Sequence, residues 1–239
     1  MLEKCEAIVL KAIKFKETSL IVNCFTREFG LQSFLVRGVL KSGKSTIKPA
    51  YFQLLNQLKL VIYRKKKSQL HTIKELKVQY HYRNISSRMS KQSVLMFLGE
   101  FLNESIREES PQEELYEFLA QGLMLFDELE VVADFHLVFL LKLSKYLGFY
   151  PESNKDNLEY FDLLEGKYVG TYQGNNQLNM QETILLNRLI DLNFSDLNEA
   201  HFSSGQRNAL LSFLVKYYSL HLNGFKTPKS LEILKSLYR

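Results

Sequence analysis

At 239 residues, with 46% hydrophobic and 24% charged side chains, the chain can form one large or two ordinary packed domains, and its composition excludes long disorder. Cys5 and Cys24 are its only cysteines; they make neither a C-x-x-C pair nor a disulfide framework, which excludes a cystine-stapled secreted domain. The formal net charge of +5 is divided unevenly: residues 1–82 hold 16 Lys and Arg against 5 Glu, a balance of +11, whereas residues 83–239 hold 15 against 21 acidic residues, a balance of −6.

From Glu6 to Leu76 apolar and polar residues alternate with period two between short turn signals, the pattern of a small antiparallel barrel. Five strands are predicted: Ala7 to Ile13, Ser19 to Thr26, Leu31 to Arg37, Leu58 to Tyr63 and Leu70 to Leu76. In the fourth, Leu58, Leu60 and Ile62 point one way and Lys59, Val61 and Tyr63 the other. Gly30 closes the turn after the second strand. The spacing fits an OB-like five-stranded barrel, and an SH3-like barrel leaves much the same trace.

After Arg83 the period becomes 3.6. Val94, Leu98, Phe101, Leu102 and Ile106 form one helical stripe; Leu115, Phe118, Leu119, Gly122, Leu125, Phe126 and Leu129 form a second, opened by Ser110-Pro111-Gln112-Glu113 as a capping box with proline at the first helical position. Phe135 to Leu147, apolar nearly all round and stopped by Gly148, predicts the central helix of a bundle. Tyr160 to Val169 predicts a hairpin, and helices follow at Glu182 to Leu192, Gly205 to Leu222 and Lys229 to Leu237. The predicted class is therefore α+β with two domains: an OB-like barrel over 1–82 and an α-helical domain over 83–239 with a small hairpin insertion near 158–172.

A basic block ahead of an acidic helical one predicts a module that meets a polyanion. Arg37, Lys41, Lys44 and Lys48 lie in a cationic loop between strands, and Arg64, Lys65, Lys66 and Lys67 in the turn between strands four and five. These eight are the candidate phosphate contacts. Phe15, Phe34, Tyr51 and Tyr63 are candidate stacking platforms, although aromatic residues at strand spacing are more often core. Gly38 to Ser45 matches the phosphate-loop pattern G-x-x-x-x-G-K-[ST], but Pro49 follows too closely for a helix to open at the Lys-Ser pair, and no Walker B strand is visible. The five histidines lack ligand spacing, and no catalytic signature appears. Neither metal, cofactor nor enzyme activity is expected. The acidic start, Met1 to Glu6, is unlike a signal peptide, and apolar runs such as Leu137 to Leu141 fall far short of the ~20 residues that span a bilayer. A soluble, cytoplasmic, nucleoid-associated protein without membrane contact is expected.

Phe15-Lys16-Glu17-Thr18-Ser19, Phe25-Thr26-Arg27-Glu28-Phe29-Gly30 and Val36-Arg37-Gly38 with Lys41 and Ser42 resemble, in sequence and spacing, the RecO recombination mediators of bacteria. Looser similarity continues through Phe97 to Leu102, Leu147 to Pro151 and Leu231 to Leu237. The resemblance implies an N-terminal OB domain joined to a helical domain. It also implies binding of single- and double-stranded DNA, annealing of complementary strands, contacts with RecR and the single-strand-binding protein, and through them loading of a RecA-type recombinase during gap repair. Many relatives carry a four-cysteine zinc site; this chain has no cysteine after Cys24 and is expected to lack it. An acidic tail of the single-strand-binding protein meeting the helical domain would need a basic rim, for which Lys142, Lys145, Arg188, Arg207 and Lys216 are the candidates. The alternatives are an RNA-binding or transcription-associated OB module and, less favoured, a P-loop nucleotidase.

Overall fold

The computed structural model describes residues 1–41, 47–64, 69–154 and 156–237, the side chains of Ser86 and Leu237 excepted. Five strands, β1 (Leu2–Phe15), β2 (Ser19–Thr26), β3 (Gly30–Val36), β4 (Gln57–Tyr63) and β5 (Leu70–Val78), close into a barrel in the order β1-β2-β3-β5-β4. That order and closure make it OB-like. The predicted antiparallel barrel needs one correction, because β3 meets β5 in parallel through Ser33↔Leu70 and Phe34↔His71. Parity is the reason: an odd number of strands joined in a ring cannot alternate direction at every seam.

The alternation read from β4 holds, with Leu58, Leu60 and Ile62 packed inside and Lys59 and Tyr63 exposed. Val9, Val22, Cys24 and Phe34 fill the same core. A bulge between Val9 and Lys11 shifts the register of β1 against β2, so that residues 11–17 project as an exposed hairpin end. At the other end of β2, Thr26 Oγ1 donates to the Gly30 carbonyl at 2.9 Å and accepts the Phe29 amide at 3.2 Å. Gly30 has φ +66°, and a Cβ there would collide with the carbonyl oxygens of Glu108 and Ser110. The amide of Leu31 donates to the Glu108 carbonyl at 2.8 Å.

The helices α1 (Met89–Ser105) and α2 (Glu113–Glu128) follow. Val94, Phe97, Leu98, Phe101 and Leu102 are fully buried along α1. The predicted proline start of α2 is displaced: the helix opens at Glu113, two residues past Pro111, with Tyr116 N donating to Gln112 O at 3.0 Å. The backbone of Glu108 and Ser110 is held against Gly30 and Leu31, and the helix begins only beyond that contact. Glu113 and Glu114 then occupy its first turn, where carboxylates suit the helix dipole. At its far end the Asp127 carboxylate accepts the amides of Arg83, Asn84 and Ile85 at 2.8, 2.8 and 2.9 Å, and buried Lys91 donates to the Asp127 carbonyl at 2.6 Å. The compact unit built on the barrel therefore runs from Met1 to Asp127, whereas the charge balance changes near residue 82.

The second unit, Glu128–Arg239, is centred on α3 (Phe135–Tyr146), whose residues Phe135 to Leu141 are all buried, as its apolar sequence predicts. Gly148 stops it at φ +86°. The predicted hairpin is β6 (Tyr160–Asp162) with β7 (Lys167–Val169), and a third short strand, β8 (Gln177–Leu178), pairs with β6. Capping boxes at Asn179/Glu182 and Ser203/Gln206 open α4 (Met180–Asp191) and α5 (Ser204–His221). Leu231–Leu237 forms α6. The buried carboxylate of Asp134 bonds Arg207 Nε at 2.8 Å.

Candidate nucleic-acid interface

Cross-strand partners share a face of a sheet, and the register past the bulge places Lys11 beside Asn23 and Ile13 beside Ile21. Asn23 in turn lies beside Ser33 and Ile21 beside Leu35. Because Leu20, Val22, Phe34 and Val36 point into the barrel, this set points out of it. Ile13 and Phe15 remain 47% and 36% exposed, large apolar side chains left at the surface among cations. Ser33 Oγ donates to Asn23 Oδ1 at 3.0 Å, so the polar pair in the middle of the face is held in place.

The turn that follows β1 carries Lys16 at φ +55°, with its ammonium 5.6 Å from the centroid of the Phe15 ring. Leu40 N donates to Thr18 O at 3.0 Å, which fastens the segment after β3 onto this turn. Arg37 and Lys41, both exposed, are thereby brought to the end of the barrel that bears Lys14 and Lys16. Among the described residues none of Lys11, Lys14, Lys16, Arg37 and Lys41 makes an ion pair. Glu17 is the one acidic residue between positions 7 and 27, and none occurs from 29 to 74.

The other predicted phosphate contacts are placed differently. Lys48 is exposed and extended at φ −99°, ψ 149°, directly before a short 3-10 turn over Pro49–Phe52. Arg64 lies at the opposite end of β1: its amide bonds Met1 O, its guanidinium is 3.7 Å from Glu3 Oε2, and it sits 4.2 Å from the Phe29 ring centroid. The structure thus joins Arg37 to Lys41 and leaves Arg64 apart. Lys44, Lys65, Lys66 and Lys67 lie outside the described residues, as does the second half of the phosphate-loop match, residues 42–45. Of the candidate platforms, Phe34 is corrected to a core residue with no exposed surface, Tyr51 is half-buried, and Phe15 and Tyr63 are exposed. Lys11, Ile13, Lys14 and Lys16 escaped the sequence reading, although their alternation in β1 was a usable signal.

Among the second unit's candidate cations, Arg207 is corrected: it is 5% exposed and committed to Asp134 and to the Phe202 carbonyl, so it forms no rim. Lys142 donates to Asn193 Oδ1 at 3.0 Å, Arg188 to the His201 carbonyl at 2.7 Å, and Lys216 to the Asn175 carbonyl at 2.9 Å. Lys145 is exposed at the end of α3. Burial lowers the Lys142 pKa, aided by Lys145 and opposed by Asp196.

Both cysteines lie in the barrel core, and burial pushes the Cys5 thiol up to about 12 and raises Cys24 as well, so neither offers a thiolate to a metal. Among the described residues no three His, Cys, Asp or Glu side chains gather as a metal site, and no helix is long and apolar enough to cross a membrane.

A closed OB-like barrel with a cationic, partly apolar outer face, followed by helices and one small sheet, defines the class of architecture. The family model described as recombination protein O N terminal matches residues 1–82, and that described as recombination protein O C terminal matches residues 86–231. The chain belongs to the RecO family of DNA repair proteins. It is 41% identical over 235 residues to the DNA repair protein RecO of Flavobacterium johnsoniae, covering 98% of each chain. The RecO proteins of Phocaeicola vulgatus and Christiangramia forsetii are 36% and 35% identical over the full length of both chains.

Proposed function

We propose that this chain acts as a recombination mediator without covalent chemistry: it binds single- and double-stranded DNA, anneals complementary strands, and helps load a RecA-type recombinase on DNA coated by the single-strand-binding protein. The observation that carries the reading is the outer face of β1, β2 and β3, where Lys11 lies beside exposed Ile13 and Phe15, and Lys14, Lys16, Arg37 and Lys41 flank that face at the projecting end of the hairpin. Lysine and arginine neutralise phosphates and release their counterions. The apolar side chains between them give unpaired bases a surface to stack on, which favours single strands without reading sequence. Annealing follows because neutralised strands approach at a smaller electrostatic cost. Each of the five cations that engages a phosphate adds about −0.7 to the slope of log K against log salt for a single strand.

RecR and the single-strand-binding protein are the proposed protein partners. For the acidic tail of the latter, α4 offers Met180 and Ile184, 44% and 52% exposed, in line with Arg188 one further turn along the same face. Lys142, Lys145 and Lys216 are the remaining candidate cations for that rim. The deciding experiment mixes complementary oligonucleotides with the protein, with and without single-strand-binding protein and without nucleotide. Accelerated annealing in both cases is the expected result. Activity that requires ATP and magnesium, or a preference for RNA strands, overturns the reading.

A further inference from the structure

We infer that the barrel carries a second strand-binding surface, on the outer face of β1, β4 and β5, where Lys4, Lys59 and Lys77 hold the phosphates of a second DNA strand. The inference rests on the DNA-annealing function proposed above and gives it a geometry.

A concavity of about 930 Å³ lies on this side of the barrel, with Lys4, Lys59, Lys74 and Lys77 around it and Val61 and Leu76 among its apolar lining. The register is explicit. Lys59 stands directly opposite Lys77 on β5 and opposite Glu6 on β1, while Lys4 stands opposite Val61. Since Leu58, Leu60 and Ile62 point inward, these partners point outward. Like charges directly opposite one another on adjacent strands destabilise a sheet. Glu6, 3.3 Å from Lys59, offsets the Lys59 side of this pair, which leaves Lys77 as the member free to attract a further anion.

Carboxylates also line the concavity, and their partners decide what charge is left over. Glu6 is held 3.3 Å from Lys59 and 3.4 Å from Arg27, and Glu75 lies 3.4 Å from Lys74. Glu28 accepts the Glu6 amide at 3.0 Å. An amide hydrogen bond leaves the Glu28 charge in place, and against that one negative charge Lys4 and Lys77 both remain exposed and, among the described residues, without an ion pair. The unmatched charge of the concavity is positive, which suits a phosphate backbone.

The position of this surface matters for annealing. The face carrying Ile13 and Phe15 uses the C-terminal part of β1 with β2 and β3; this one uses the N-terminal part of β1 with β4 and β5. The two share one strand of the barrel and no side chain, so occupancy of one leaves the other open. A protein with a single strand site leaves the second strand to approach a polyanion from bulk solution. Two sites on one barrel make that encounter intramolecular and raise the effective concentration of the second strand.

The test uses the full chain and two non-complementary oligonucleotides carrying donor and acceptor dyes, with sedimentation to confirm one chain per complex. Energy transfer between the dyes is expected with the parental protein. The Lys4→Ala/Lys77→Ala variant is expected to bind the first oligonucleotide with unchanged affinity, to lose the energy transfer, and to anneal more slowly. The salt slope of second-strand capture is expected to fall by about 1.4 if both lysines contact phosphates. A parental protein that binds one strand and never two, or a variant that keeps both energy transfer and annealing rate, overturns the inference. So does a variant that anneals normally but loses a protein partner, which assigns the concavity to that partner. A chain that binds no DNA at all defeats the underlying functional reading instead, and the two failures are told apart by the first-strand titration.

Discussion

Gly30 combines two constraints that act on a single residue. Its φ of +66° is a region L-residues enter at a cost of about 1–2 kcal/mol, and the space its Cβ would take is occupied by backbone carbonyls of Glu108 and Ser110. Backbone, unlike a side-chain tip, cannot rotate away. Gly30→Ala is therefore expected to destabilise the chain by more than the conformational term alone, read as a lower urea midpoint, and a midpoint within error of the parent would show that the 108–110 segment yields. His136 is a second residue whose surroundings dictate a measurable property. It is fully buried, and burial, with a further contribution from the Arg207 charge, holds its pKa down at about 3. The unfolded chain takes up this proton near the ordinary value of 6.5 while the native state refuses it. His136 thus contributes stability that is whole above pH 6.5 and is lost as pH falls toward 3. His136→Leu is expected to lessen the decline of stability between those limits; parallel pH profiles for parent and variant would contradict this.

The hairpin formed by β1 and β2 projects because of its bulge. Alternation in β4 was readable from sequence, since Leu58, Leu60 and Ile62 keep one phase from end to end. Residues of β1 change phase after Val9, and a bulge is a pairing event that no local composition records. For the same reason the contiguous run Arg64 to Lys67 was prominent in the sequence, while Lys11, Lys14 and Lys16, set apart by Ile13 and Phe15, were not. Their association with Arg37 and Lys41 comes from long-range pairing, the register that sets Val36 beside Leu20 and the hydrogen bond from Leu40 to Thr18. Changing Lys11, Lys14 and Lys16 together to Ala is expected to weaken single-strand binding and to flatten its salt slope by up to about 2. Replacing Phe15 by Ala should weaken single-strand binding by about 1–3 kcal/mol with the salt slope unchanged, as lost stacking requires. A triple variant with the parental slope would move the phosphate path off the hairpin.

At the scale of the molecule, sequence and packing divide the chain at different places. Charge balance and hydrophobic period both change near residue 82, and the two family models meet close to the same position. The compact unit nonetheless continues to Asp127, because α1 and α2 pack on the barrel. Ile8 and Phe25 point out of the barrel yet are fully buried, the latter with its ring 6.3 Å from that of Tyr116 on α2. Gln57 Nε2 donates to the Ala120 carbonyl at 3.0 Å, and Arg27 bridges Glu6 to Glu113 and Glu117. Such contacts join residues far apart in sequence, so a composition profile does not reveal them. A fragment ending at residue 82 would expose Ile8 and Phe25 and strand the Leu31 amide that Glu108 satisfies. Exposing a fully buried Ile or Phe costs about 1.5–3 kcal/mol each, a large share of the 5–15 kcal/mol that holds an ordinary domain together. The fragment 1–82 is accordingly expected to aggregate or to melt without cooperativity, whereas 1–127 is expected to unfold in a single transition and to retain the single-strand affinity of the whole chain. If 1–82 melts cooperatively near the temperature of 1–127, the helices α1 and α2 decorate the barrel without supporting it, and the boundary drawn by charge is also the boundary of folding.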